Sequence, residues 1–106
     1  MRARRERVAD IVAEDAERIL ALAAEAARRG DVEYSRRLGS LILEMARGNG
    51  VRLPREVKLS ICKRCHVALV PGVTLSVRLR RQGRLRYLVR RCLACGYIHR
   101  LPLAEA

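Results

Sequence analysis

Cys62-Lys63-Arg64-Cys65-His66 and Arg91-Cys92-Leu93-Ala94-Cys95-Gly96 frame the stretch that decides the fold, and Cys65 and Cys92 are separated by 26 residues. The chain has four cysteines, all in these two pairs. Each CxxC turn lets two thiolates converge on one cation, and two such turns joined through a hairpin supply the tetrahedral four-sulfur set that Zn2+ favours. Cys62, Cys65, Cys92 and Cys95 are therefore the expected ligands of one structural zinc ion. Two other readings compete. A redox CxxC of the thioredoxin kind needs a βαβ setting, and a pair of disulfides suits a secreted or hyperthermophilic chain.

Between the pairs the apolar period is two. Val73, Leu75, Val77 and Leu79 alternate with Thr74, Ser76, Arg78 and Arg80; then Leu85, Tyr87 and Val89 alternate with Arg84, Arg86 and Arg90. This predicts two antiparallel strands, with Tyr97, Ile98 and Arg100 as a third. A three-residue loop, Arg81-Gln82-Gly83, keeps like faces together and sets Arg78 opposite Arg86 and Arg80 opposite Arg84. Like charges directly opposite on a sheet repel, and a phosphate backbone would relieve them. The guanidinium face is accordingly expected to meet RNA or DNA.

Charge supports the same expectation. The 106 residues carry a formal net charge of +12. Residues 1–50 contribute +1, from ten arginines and nine acids, and residues 51–106 contribute +11, from thirteen basic residues and two glutamates. The excess thus travels with the cysteines, where phosphate is the natural neutralising group. With Phe and Trp absent and three tyrosines present, the core must come from Leu, Val, Ile and Ala, and so small a scaffold needs a staple. No apolar run reaches the ~20 residues of a membrane span, and the start Met1-Arg2-Ala3-Arg4-Arg5 is unlike a secretory signal. A soluble, cytoplasmic protein that makes no membrane contact is expected.

Residues 1–50 read as a helical pair. Val8, Ile11, Val12, Ile19, Leu22, Ala23 and Ala26 recur at helical spacing up to Arg29, Gly30 ends that helix and Asp31 caps the next. Leu38, Leu41, Ile42 and Met45 stripe the second helix to about Arg47, and Gly48-Asn49-Gly50 stops it. These stripes are expected mainly to pack the two helices on each other and on the ribbon, but two helices cannot cover both of their own apolar faces. Val8, Ile11, Val12, Leu38, Leu41 and Ile42 are therefore candidates for contact with a protein partner. The basic start at Arg2, Arg4, Arg5 and Arg7 reads as a solvated terminus, with contact to nucleic acid as the alternative. Pro54 marks a linker or short turn. The fold class is α+β: two N-terminal α-helices, a linker and a C-terminal three-stranded antiparallel zinc ribbon, divided as 1–50 and 51–106.

His66 and His99 read as surface histidines or phosphate contacts, because four thiolates already complete a zinc shell. The chain contains no GxxxxGK[ST], no HExxH and no plausible Ser/His/Asp set. By itself it is expected not to catalyse.

The order of parts resembles a known family. The segment Leu59-Ser60-Ile61-Cys62-Lys63-Arg64-Cys65-His66, the Pro71-Gly72 turn, the arginine-rich hairpin and Arg91-Cys92-Leu93-Ala94-Cys95-Gly96, behind two helices, look like the archaeal ribonuclease P protein component 4 family. The resemblance implies a zinc-ribbon subunit of the ribonucleoprotein that removes the 5' leader from precursor tRNA, with the active site on the RNA component. It implies docking of an Sm-like-barrel subunit, protein component 1, on the N-terminal helices, and joint binding to the specificity domain of the RNA, with precursor tRNA as a further contact. Carried onto this chain, it makes the four cysteines the zinc ligands. The RNA-contact candidates are Arg55, Lys58, Lys63, Arg64, Arg78, Arg80, Arg84, Arg86, Arg90 and Arg91. The alternative binding class is a zinc-ribbon DNA- or RNA-binding factor of transcription or translation, which would not require the apolar helical pair. A thiol redox enzyme, the third class, predicts a reactive cysteine of low pKa.

Overall fold

The chain begins with two helices laid against each other. In the computed structural model, which describes residues 2–103 without the side chains of Arg2, Ala3 and Arg5, α1 spans Arg2–Arg28 and α2 spans Val32–Gly48. The expectation for the basic start lies in part outside the described residues. At the end of α1 the Asp31 and Gly30 amides donate to the Ala26 and Ala27 carbonyls, the paired bonds of a Schellman stop. The Asp31 carboxylate then accepts from the Tyr34 amide at 3.1 Å and caps α2. The core of this half joins Val12, Ala16, Ile42 and Ala46 to Leu53, Val57 and Ile61 from the segment that follows.

That segment contains an element the sequence does not announce, a one-turn helix α3 at Arg55–Leu59 that starts after Pro54 and buries Val57. Proline at its N-terminal cap costs no hydrogen bond, since the first amides of a helix lack intrahelical partners. α3 delivers the chain into the first cysteine turn, where Ile61 and Ala68 form an isolated bridge.

The three-stranded antiparallel sheet follows, with β1 at Leu75–Gln82, β2 at Leu85–Cys92 and β3 at Ile98–Pro102, in the order β1-β2-β3. Its register corrects the expected one. Gln82 pairs with Leu85, Arg80 with Tyr87, Arg78 with Val89 and Val77 with Arg90. The loop is the two residues Gly83-Arg84, with Gly83 at φ +62° and no left-handed residue after it, the arrangement of a II′ turn. Such a turn matches the twist of the strands, and this register puts Arg78 and Arg80 beside uncharged neighbours instead of arginines. The stacked quartet of Arg78, Arg80, Arg84 and Arg86 is not formed.

Candidate metal centre and nucleic-acid interface

Two near-identical turns build the sulfur cluster. In the first, the Cys62 amide donates to the Val67 carbonyl and the His66 amide to the Cys62 carbonyl; in the second, Cys92 donates to Tyr97 and Gly96 to Cys92. The fifth residue of each turn is left-handed, Gly96 at φ +82° and His66 at φ +67°. The four Sγ atoms all lie within 4.8 Å of one another. Across the turns, Cys62 stands 3.6 Å from Cys95 and Cys65 stands 3.7 Å from Cys92. A disulfide needs about 2.05 Å, whereas a tetrahedron of sulfurs about 2.3 Å from a central zinc has edges of about 3.8 Å. The donor set therefore fits a four-coordinate soft cation.

The thiols are unequal without one. Burial pushes Cys92 up to about 12 and raises Cys62 as well. At Cys95 burial acts in the same upward sense but is outweighed by the Tyr97 backbone and the three neighbouring sulfurs, which bring it to about 7. A cation that deprotonates all four removes the inequality. Hydrogen bonding to the Cys65 sulfur raises the Arg36 guanidinium, placing a positive group from α2 beside the cluster.

The first turn is seated on α2 through residues that carry no motif. The Ser35 hydroxyl, fully buried, accepts from the Ala68 amide at 3.0 Å. One turn later the His66 carbonyl lies so near Gly39 that a Cβ there would come within 1.8 Å of its oxygen. His66 is half-buried, with Nδ1 2.8 Å from the Ser40 hydroxyl, so it is a docking residue and not the surface histidine expected. Below the turn, the buried Thr74 hydroxyl accepts from the Val70 amide and donates to the Ala68 carbonyl, and the Leu93 amide donates to the Thr74 carbonyl, tying the two turns together.

The sheet projects away from this seat. No helix comes within 8 Å of a strand between Cα atoms among the described residues. Paired residues share a face, so the register sorts the side chains. One face carries Leu75, Val77, Leu79 and Arg81 on β1, Arg86, Leu88, Arg90 and Cys92 on β2, and His99 and Leu101 on β3. The other carries Ser76, Arg78, Arg80 and Gln82, then Leu85, Tyr87, Val89 and Arg91, then Ile98, Arg100 and Pro102.

The ten basic candidates therefore do not form one surface. Arg78, Arg80 and Arg91 are exposed on the second face, together with Arg100, which sequence reasoning did not single out. Arg86 lies on the first face and Arg84 in the turn. Arg90 is committed elsewhere: its guanidinium donates to the Leu59 carbonyl at the end of α3, and burial lowers its pKa. Arg55 and Lys58 are exposed on α3, and Lys63 and Arg64 are exposed at the tip of the first turn. His99 is half-buried beside Arg90, and burial, with Lys63 and Arg90 nearby, lowers its pKa.

Of the six residues expected to meet a protein partner, Val12 and Ile42 are 4% and 0% exposed, closed inside the helical core. Their stripe faces α1 against α2, which removes them from any outer surface. Val8 and Leu38 are half-buried, and Ile11 and Leu41 are 58% and 47% exposed. Leu22 and Tyr34 add to the exposed apolar helical surface. Among the described residues no helix is long and apolar enough to cross a membrane.

Comparison with known proteins gives a consistent family. The family model for the RNAse P Rpr2/Rpp21/SNM1 subunit domain matches residues 17–96. Ribonuclease P protein component 4 of Aeropyrum pernix is 45% identical over 92 residues, covering 87% of this chain and 56% of that protein. Its counterpart from Hyperthermus butylicus is 48% identical over 95 residues, covering 89% of this chain and 83% of that protein. This chain thus spans little more than half the length of the first relative and most of the second. A chain in the cryo-EM structure of archaeal ribonuclease P with mature tRNA superposes with a TM-score of 0.78 at 32% identity, over 88% of this chain and 77% of that one. The structure of Pfu Rpp21 superposes at 0.65 with 35% identity, over 87% and 99%.

Proposed function

The chain belongs to the RNAse P Rpr2/Rpp21/SNM1 subunit family, and on that premise we propose that it serves as a non-catalytic protein subunit of ribonuclease P. In this role it binds and stabilises the RNA that removes the 5' leader from precursor tRNA, in the cytoplasm. The observation that carries the reading is the union of a four-sulfur cluster with a basic sheet that no helix covers. A zinc ion bound by Cys62, Cys65, Cys92 and Cys95 supplies structural fastening, since four thiolates leave no open position for a reacting water. Arg78, Arg80, Arg91 and Arg100, with Lys63 and Arg64 at the turn tip, are the groups this placement favours for phosphate contacts in the specificity domain of the RNA. Ile11 and Leu41, on the exposed side of the helical pair, are favoured for docking the Sm-like-barrel subunit.

The transcription or translation factor is the weaker reading, because a free-standing ribbon has no use for an attached helical pair with exposed apolar residues. The lowered Cys95 thiol matches one expectation of the redox reading, but that shift overcomes burial through the Tyr97 backbone and the three other sulfurs of the cluster. The redox reading also requires a βαβ setting, and both cysteine pairs here lie in turns adjoining an antiparallel sheet. The test is reconstitution of precursor-tRNA cleavage with and without this chain, with zinc measured on the same sample. Cleavage should rise with the chain present. Replacing Arg78 and Arg80 by alanine should lower the salt dependence of RNA binding by about 0.7 to 0.9 in logarithmic slope for each phosphate no longer neutralised. An unchanged slope removes those arginines from the interface, and cleavage indifferent to the chain overturns the assignment.

A further inference from the structure

The second face of the sheet is more than a cationic patch, because an aromatic ring stands among its arginines, with Arg80 directly across from it and Arg78 and Arg100 at the next position along. Tyr87 sits on the central strand, half-buried, with Arg80 across from it on β1 and Pro102 across from it on β3. Antiparallel partners lie about 5 Å apart between Cα atoms, so both neighbours border the tyrosine. Two residues along β2, about 7 Å away, Val89 is flanked by Arg78 on one side and Arg100 on the other. No acidic residue occurs between Glu56 and Glu105, so nothing of opposite charge on the ribbon competes for these guanidinium groups. The opposite face differs in kind. Its central row is Leu79, Leu88 and Leu101, without an aromatic ring.

A base-paired helix presents phosphates and hydroxyls on its outside and keeps its base faces stacked within, so it could use the arginines but not the ring. An unpaired nucleotide can use both, laying its base on an aromatic side chain that rises from a flat sheet while flanking cations hold the backbone. We infer that this face is a stacking platform for an unpaired RNA nucleotide, with the base on Tyr87 and the adjoining phosphates on Arg78, Arg80 and Arg100. The inference rests on the RNA-binding reading above and names the kind of RNA that this surface takes.

The full-length, zinc-loaded chain is titrated with a short single-stranded oligoadenylate RNA carrying 2-aminopurine and, separately, with an RNA hairpin of the same length, each at several salt concentrations. Tyr87→Ala should weaken single-strand binding on the order of 10-fold, abolish the change in 2-aminopurine fluorescence, and leave the salt slope and the hairpin affinity unchanged. Tyr87→Phe keeps the ring and should bind as the parent does, which also guards against a folding defect. Four outcomes overturn the platform: Tyr87→Ala binding the single strand normally, equal losses for strand and hairpin, Tyr87→Phe behaving as Tyr87→Ala, or a loss confined to assembly with the other ribonuclease P proteins. Failure of the underlying RNA reading looks different, since the parent chain would then bind neither probe in a salt-dependent way.

Discussion

The helical half buries Val12, Ala16, Ile42 and Ala46 between its two helices and adds Leu53, Val57 and Ile61 from the connecting segment. The ribbon half has a smaller interior centred on its sulfurs, with Cys62, Val67 and Cys92 buried and Val32, Leu69 and Tyr97 packed against them; past Val70, the only buried positions among the described residues are Thr74, Leu75 and Cys92. One half is assembled by removing apolar surface from water, at roughly 25 cal/mol per Å2 buried. The other gathers its turns around sulfur. Apolar burial would have required a layer packed on the sheet, and that layer would have covered the side chains now turned outward. Holding a small sheet by ligands at its base leaves the face of Arg78, Tyr87 and Arg100 open, while the other face is tied to the end of α3 through Arg90.

The largest expected effect tests that division directly. Removing the proposed zinc by chelation, or one of its ligands by Cys62→Ser, should withdraw a structural contribution of about 10–16 kcal/mol, far more than the three residues buried past Val70 replace. Far-UV circular dichroism should keep most of its helical signal while amide exchange protection in β1 to β3 disappears. Lower pH should act in the same direction, because protons compete with the metal for the thiolates. A ribbon that stays protected without metal would show that the strands are held by something other than the cluster.

A smaller effect concerns the joint between the halves. Alanine is preferred over glycine within a helix by about 1 kcal/mol, so propensity alone predicts that Gly39→Ala stabilises α2. The His66 carbonyl reverses the sign: the new Cβ would meet its oxygen at 1.8 Å and its carbon at 2.9 Å, and a backbone group cannot swing aside. A net loss of about 2–4 kcal/mol is expected, read as a lower thermal midpoint with zinc still bound. Unchanged or higher stability would mean that the two halves are only tethered.

How much of this could be read from residues alone follows the same boundary. The cysteine spacing and the period-two stretches determined the ribbon, and Gly30, Asp31 and Gly48-Asn49-Gly50 determined the helix ends, because each signal acts within a few residues. The register went wrong at one place. Alternation assigned Arg84 to a strand, whereas the structure spends it in a two-residue turn with Gly83. That shift separates arginines expected to face one another and brings Tyr87 between Arg80 and Pro102. Val12 and Ile42 went astray for a related reason, since periodicity shows that a stripe is apolar without showing whether it faces the other helix or the outside. Gly39 did leave a trace. Ser35 and Gly39 are small residues one helical turn apart, and a glycine inside a helical pattern often has a packing reason such as another backbone passing close by.

The finest test of the joint uses the fifth position, where the two cysteine turns share a left-handed backbone but differ in residue. Gly96 takes the left-handed position of the second turn without cost, while His66 takes it in the first with a side chain attached, at about 1–2 kcal/mol. What offsets this is the hydrogen bond between Nδ1 and the Ser40 hydroxyl, worth about 1 kcal/mol net. His66→Gly should therefore be close to neutral, giving up the bond and the strain together. His66→Ala keeps the strain without the bond, and should fall about 1 kcal/mol below the parent. Ser40→Ala should cost a similar amount in the parent and almost nothing once His66 is glycine, a non-additivity that denaturant titration of the zinc-loaded chain can resolve. If Ser40→Ala costs the same in both backgrounds, the imidazole does not fasten the first turn to α2. Gly39, the Ser35 hydrogen bond and the contact of Arg36 with the Cys65 sulfur would then carry that seating.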